Sequence, residues 1–385
     1  MDADRRRAVD RVAWISLAVL AGGFLLLLQA CFGTTEAPAP PASERLSSPQ
    51  SLNPFFMSLA AIDARTSREP VRVMQIGDSH SANDSLSGRL RDRLQARFGD
   101  AGRGWLPAGV PYKYYRPHQV GIAEHGWRHV KPSDHEAVAL GLDAVAAESQ
   151  PVTGQSTGAD MTIESTDPAG FDRFAVEFLT RPDGPPFAVA VDGGAPERVS
   201  TAAAMPAIRI FDRSLDRPAR QVALTVEGRS PVVLLGWTVE RRAPGIVYEN
   251  HGTIGATIGL IGQMTPEAMS FELAERRPAL LVVAFGTNEG FDDDLDIGRY
   301  GARFQDAVTA LQRAAHGAPV LLLGTPDGNR AAKGCAATPC GTEGDACAWR
   351  EPPKLAAVRD AQRRVAAQHG WAYWDWFAAM GGRCA

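Results

Sequence analysis

Ser79 stands in the run Gly77-Asp78-Ser79-His80, after an apolar stretch that ends at Ile76 and before an amphipathic one that begins at Asp84. A serine on a strand-to-helix turn projects its Oγ from the carboxyl edge of a sheet, where open α/β folds place ligands. Its own N–H then lies at a helix N-terminus, where oriented amides stabilise a developing oxyanion. A bland role is open to the same residues, since Asp78 and Ser79 are good turn and cap formers. Two later segments add to the first. His251-Gly252-Thr253-Ile254-Gly255-Ala256 follows a second strand-like stretch and offers a glycine where a substrate needs close backbone approach. Gly286-Thr287-Asn288-Glu289 follows the apolar run Leu281–Phe285 and places an amide donor, Asn288, at the same edge. Three such segments in this order, each at the carboxyl end of an expected strand, point to one composite site.

The elements that must hold these segments alternate. Val71–Ile76 is a buried-strand pattern, and Asp84–Phe98 carries Leu86, Leu90, Leu94 and Phe98 at helical spacing. Further on, strands are expected at Gly245–Glu249, Leu280–Phe285, Val320–Leu323 and Trp371–Trp374. Helices are expected at Ala256–Arg276, Ile297–His316 and Lys354–Gln368. Strands alternating with helices predict a parallel sheet covered on both faces, an α/β fold. Residues Pro117–Ala243 break the rhythm. Short runs such as Phe174–Phe178, Phe187–Val191, Val222–Val226 and Val232–Val239 are separated by Gly, Pro and Asp turns. That pattern predicts an inserted antiparallel β-sandwich domain.

The order Gly77-Asp78-Ser79, Gly255, Gly286-x-Asn288 resembles the first three sequence blocks of the SGNH (GDSL-like) hydrolase superfamily. Ile76–Ser81, Arg103-Gly104-Trp105-Leu106-Pro107, Trp374-Asp375-Trp376 and Met380-Gly381-Gly382 resemble a narrower group, the exported O-acetylesterases of peptidoglycan. The resemblance covers about Pro54 to Ala385. It implies a flavodoxin-like three-layer fold interrupted by a carbohydrate-binding-like sandwich, and it implies no metal or organic cofactor. By position, Ser79 is the nucleophile, and the Ser79 N–H, Gly255 N–H and Asn288 side chain form the oxyanion hole. Glu289 stands where many superfamily members have aspartate.

The superfamily also carries Asp-x-x-His near its C-terminus, the general base and the carboxylate that orients it. None of the eight histidines has an aspartate three residues earlier, so this block is absent from the chain. His251, beside the Gly255 loop, is the best stand-in, with a structural role the commoner fate of such a residue. His80 and His369 are weaker candidates, and Asp375 is assigned a structural role. The expectation is a serine esterase that removes O-acetyl groups from an envelope polysaccharide, with little activity as it stands. Turnover near background, little changed by Ser79→Ala, is expected of it. The rival is a non-catalytic glycan-binding protein, and acyl transfer to a second sugar shares the same acyl-enzyme.

The rest of the chain bears on location. Its 385 residues hold 45% hydrophobic and 22% charged side chains at a formal net charge of −4. That is globular usage with no broad basic surface for nucleic acid. Arg5, Arg6, Arg7 and Arg11 precede an apolar run from Val12 to Ala30, an export signal or a membrane anchor over residues 1–31. Leu28-Gln29-Ala30-Cys31 resembles a lipobox with Cys31 lipidated; the signal anchor is the alternative. Residues 32–54, rich in Pro, Ala, Ser and Thr, read as a flexible tether, which places the folded part in the periplasm at a membrane. The expected division is then 55–116, the insert 117–243, and 244–385. Four further cysteines cluster near the end, and in an exported chain they favour disulfides over zinc, as Cys335–Cys340 and Cys347–Cys384.

Overall fold

The computed structural model describes residues 45–130, 146–150, 158–228, 230–331 and 349–384. In chain order, β1 (Leu46–Ser47), α1 (Asn53–Asp63), β2 (Val71–Gly77), α2 (Ser79–Ala82) and α3 (Ser85–Phe98) come first. A run of strands follows: β3 (Gly102–Pro107), β4 (Val120–His125), β5 (Trp127–Val130), β6 (Ala146–Ser149), β7 (Asp160–Ser165) and β8 (Phe171–Thr180). It continues with β9 (Phe187–Val191), β10 (Glu197–Val199), β11 (Ala207–Ala219), β12 (Gln221–Val226) and β13 (Val233–Glu240). Alternation then returns with β14 (Ile246–Gly252), α4 (Pro266–Arg276), β15 (Leu280–Ala284), α5 (Thr287–Gly290), α6 (Ile297–Ala314) and β16 (Val320–Leu323). The last elements are α7 (Leu355–His369), β17 (Ala372–Trp374) and α8 (Trp376–Ala379).

The first sheet has the order β1-β17-β16-β15-β2-β14, parallel except for β1. Its strands are apolar on both faces because both faces are covered. In β15, Leu281 and Val283 pack with Phe304, Val308 and Leu311 of α6 and with Val358 of α7. Leu280 and Val282 point the other way, into the cluster of Phe55, Phe56 and Leu59 from α1 and Phe98 from α3. β2 repeats the alternation, with Met74 and Ile76 on one side and Val71 and Val73 on the other. This is the three-layer α/β architecture expected of an SGNH hydrolase.

The insert forms two antiparallel sheets, β10-β9-β12-β7-β4 and β11-β8-β13-β6-β5, whose inner faces share one apolar core that includes Met161, Phe174, Phe187 and Trp237. Strand pairing of this kind begins before residue 117. β3 pairs antiparallel with β13, Trp105 opposite Thr238, so Gly102–Pro107 joins the sandwich sheet although the sequence reading placed it in the α/β part. Leu106 reaches the sandwich core while the Trp105 ring meets His251 of β14, and that double attachment fixes the strand at the joint.

Two other expectations need correction. The helix expected over Ala256–Arg276 is divided into a 3-10 turn (Ile258–Gln263) and α4, which begins at Pro266 with Thr265 capping the Ala268 N–H at 3.2 Å. Proline lacks the N–H a continuous helix would require there. The end of the expected tether is folded: Leu46 pairs with Trp374, Ser47 with Tyr373, and Leu52 is buried. Residues 45–54 thereby close the exposed edge of β17, a strand that would otherwise present unpaired backbone. Residues 1–44 lie outside the described residues, and with them the signal or anchor and Cys31. Among the described residues no helix is long and apolar enough to cross a membrane. Cys335, Cys340 and Cys347 also lie outside the described residues, so neither expected pairing can be placed; Cys384 is disulfide-bonded.

Candidate active site

Parallel register sets the three predicted segments level with one another. Gly252 of β14 lies opposite Gly77 of β2, and Ala284 of β15 lies opposite the same residue from the other side. Beyond the strand ends, the Thr253 N–H donates to the Gly77 carbonyl at 2.9 Å and the Asp78 N–H donates to the Ala284 carbonyl at 3.2 Å. A Cβ added at Gly252 would collide with the Ala82 amide, so α2 lies directly on the second segment. The carboxyl edge of this sheet thus gathers all three.

Ser79 is the first residue of α2, and Asp78 is its N-cap in extended conformation (φ −86°, ψ −153°). The buried Asp78 carboxylate accepts from the His80 N–H at 2.9 Å, and the same oxygen lies 3.0 Å from His80 Nδ1. The His80 ring, part-exposed, meets Trp376 edge-on at 5.6 Å between centroids. Ser79 Oγ has no hydrogen-bond partner among the described residues.

The third segment holds the second. Gly286 has φ +127°, and a Cβ there would stand 2.5 Å from Gln362 Nε2 and closer still to Thr325 Oγ1. Only glycine fits that turn, which starts α5 two residues after β15. From α5, Asn288 Nδ2 donates to the Ala256 carbonyl at 2.7 Å. Its neighbour Glu289, 3% exposed, accepts the Ile258 N–H at 2.7 Å. Gly255, exposed and at φ +75°, is carried on the loop so clamped. Burial pushes the Glu289 carboxyl up from its ordinary 4.5 to about 7, with the charge of Asp78 adding to the effect against backbone donors that oppose it.

The structure therefore brings the segments of Ser79, Gly255 and Asn288 together. It takes the other candidates elsewhere. His251 is buried, its ring stacked on Trp105 at 4.1 Å, with Nε2 3.7 Å from Glu249 Oε2. Its register opposite Ile76 places it one residue below the edge, and no bond joins it to Ser79, so the stand-in base is not supplied there. His369 is exposed at the end of α7, against Trp371. Asp375 caps α8 through the Ala378 N–H at 2.9 Å and pairs with Arg363 at 2.7 Å, a structural role as expected.

Three features were missed by sequence reasoning. The Asp78–His80 pair is local, but its geometry needs the cap conformation. The Tyr112 hydroxyl donates to the Ala82 carbonyl at the end of α2, across 30 residues that offer no pattern. Glu289 had one available signal, its place directly after Asn288 at a strand end, but nothing local indicates that Ile258 is its partner.

Comparison with known proteins bears on these observations. The model of the GDSL-like Lipase/Acylhydrolase family matches residues 222–383. A solved structure of a peptidoglycan O-acetylesterase is similar at 27% identity, covering 86% of this chain and 85% of that one, with a TM-score of 0.68. A family two carbohydrate esterase from Cellvibrio japonicus aligns at 11% identity over 69% of this chain and 84% of that one, with a TM-score of 0.23. No curated protein sequence matches the chain. The family match and the first structural match together support an acylhydrolase.

Proposed function

We propose, on the premise of that likeness to acylhydrolases, that the chain is a serine esterase which removes O-acetyl groups from an envelope polysaccharide, peptidoglycan first. The observation that carries the reading is the level register of Gly77, Gly252 and Ala284, which gathers Ser79, the Gly255 loop and Asn288 at one sheet edge. In this reading Ser79 Oγ attacks the acetyl carbonyl carbon, and its proton passes to the leaving sugar hydroxyl as the ester C–O bond breaks. Water then hydrolyses the acetyl-serine and acetate departs. The oxyanion is met by the Ser79 and Gly255 N–H groups and by the Asn288 amide, whose second N–H remains after the bond to Ala256. The likeness to a peptidoglycan O-acetylesterase supports the choice of substrate. Low turnover belongs to the proposal. Ser79 Oγ meets no histidine among the described residues, and an oxyanion hole without its base keeps only a small fraction of full activity. The location proposed is the periplasm, tethered through the basic and apolar N-terminal segment or a lipid on Cys31.

The test is acetate release from O-acetylated peptidoglycan by the purified chain and by Ser79→Ala. Release near background by the wild type, little changed in the variant, is expected of a site without its base. Robust release that collapses in the variant would overturn the low turnover and show that another base completes the site, and robust release that the variant keeps would sink the assignment of Ser79. One observation favours a second reading, a non-catalytic glycan-binding protein: the unpartnered Ser79 Oγ itself. Its signature is background turnover in both proteins together with retention of the glycan.

A further inference from the structure

We propose that Glu289 is a positioning residue: its buried carboxyl, in neutral form, closes the loop that carries Gly255, and the loop opens as Glu289 ionises. The proposal deepens the esterase reading and rests on it for the meaning of the loop.

The geometry comes first. Residues 288 and 289 grip the loop at two points, Asn288 at the Ala256 carbonyl and Glu289 at the Ile258 N–H, both at 2.7 Å. Gly255 is exposed, with no atom within 4 Å of where its Cβ would be, while Ala256 and Ile258 beside it are buried. The two bonds from α5 hold the segment beyond Gly255, and the Thr253 N–H bond to the Gly77 carbonyl holds the segment before it. Glu289 Oε2 is buried with no hydrogen-bond partner among the described residues. A buried carboxylate oxygen without a donor is far costlier than that of a neutral acid.

The charges that face Glu289 do not rescue an anion. From the β2–α2 turn the facing group is Asp78, itself an acid, whose partner His80 is turned to Asp78. From α6 it is the buried Tyr300 hydroxyl, which takes the Gln362 Nε2 donor of α7 at 2.9 Å and is itself disfavoured as an anion by burial and by Glu289. Among the described residues no basic side chain forms an ion pair with Glu289. Burial and Asp78 push the group up to about 7. In an open loop the carboxyl would return to its ordinary range, so linkage makes opening easier as pH rises between the two values.

The experiment is hydrogen exchange of the 253–258 amides in the full chain, corrected for intrinsic rates, in wild type, Glu289→Gln and Glu289→Ala. Wild-type protection is expected to fall about tenfold from pH 6 to pH 8. Glu289→Gln, neutral at every pH, is expected to show the same protection at pH 6 and pH 8, no lower than wild type at pH 6. Glu289→Ala is expected to lose protection at both, by about tenfold or more. Wild-type protection that does not change between pH 6 and 8 would overturn the proposal. So would a Gln variant as unprotected as the Ala variant. Because the exchange readout needs no turnover, it decides this point whatever Ser79→Ala does to acetate release. Conversely, robust acetate release that Ser79→Ala leaves untouched would overturn the esterase reading and leave the exchange result standing.

Discussion

At Gly286 the site depends on a side chain that is missing. The chain must turn from β15 into α5 within two residues, the second of them Gly286 at φ +127°, under Thr325 and Gln362. Gln362 is committed there: its Nε2 donates to the Phe285 carbonyl at 2.6 Å and its Oε1 accepts from Thr325 Oγ1 at 3.1 Å. An added methyl group meets both a strained backbone and an occupied, buried neighbour. Gly286→Ala is therefore expected to destabilise the fold by about 2–4 kcal/mol, from the combined conformational and overpacking costs. Urea denaturation of the variant measures it, and a loss below about 0.5 kcal/mol, the range of an ordinary surface change, would refute the steric account.

Among the elements, α3 is anchored by its first turn. Asp84 precedes the helix at φ +54°, a conformation aspartate tolerates better than most residues. It accepts from Ser87 Oγ at 2.6 Å, from Arg91 at 2.9 and 3.1 Å, from Arg103 at 3.3 Å and from the His118 N–H at 3.0 Å. Arg91 also donates to the Tyr248 carbonyl at 2.7 Å and so ties α3 to β14. Burial alone would raise the Asp84 carboxyl, but the Arg103 and Arg91 guanidinium groups overcome that and hold it well below the usual range. With a depressed folded value, its contribution is present above the ordinary carboxylate value and is lost as pH falls below it. Asp84→Ala leaves two buried guanidinium groups without their carboxylate and is expected to cost about 3–5 kcal/mol. Chemical denaturation at neutral pH tests this. A variant as stable as wild type would mean that the cluster is held by something other than Asp84.

Over the whole molecule, the α/β part and the sandwich meet through charge as well as apolar contact. Arg72 of β2 makes a two-bond pair with Glu240 of β13, at 2.5 and 2.8 Å, and Arg173 of β8 reaches the same carboxylate at 2.6 Å. Arg276 of α4 reaches Glu177 of β8 at 2.9 Å, and Glu249 of β14 accepts the Trp105 N–H of β3 at 3.1 Å. Burial would raise Glu249, but His251, Arg72 and Arg276 pull it down from 4.5 to about 2. The sign follows: this carboxylate stabilises the joint above about pH 4.5, and the contribution is lost as pH falls towards 2. Glu240→Ala removes the carboxylate shared by Arg72 and Arg173, leaving them Glu249 and Asp212, and is expected to cost about 1–3 kcal/mol, with the stability lost first between the two parts. Calorimetry resolves this as a single wild-type transition that splits in two. A variant that unfolds in one unshifted transition would show that the ion pairs contribute nothing to the coupling.

What the sequence determined by itself was whatever depends on local pattern. Apolar runs such as Leu280–Ala284 and the stripe of Tyr300, Phe304, Val308 and Leu311 specify strand and helix, because burial on two faces or on one leaves a period that can be read. The change of rhythm after residue 117 foretold the sandwich for the same reason, and Gly77-Asp78-Ser79 announced a strand-to-helix turn through its own turn chemistry. Tertiary structure decided whatever depends on which distant groups become neighbours. β3 joins the sandwich because Leu106 finds that core, and Leu46 becomes an edge strand because β17 lacks a partner. His251 is drawn away from Ser79 by Trp105, 146 positions before it in the chain, and by a carboxylate that arginines from β2 and α4 keep ionised. Glu289 gains its hold on Ile258, and its pressure from Asp78, only when three strands pair in register. Period-two and period-3.6 patterns are written in consecutive residues, whereas partners of buried charge are set by pairing across the sheet, and no local signal carries them.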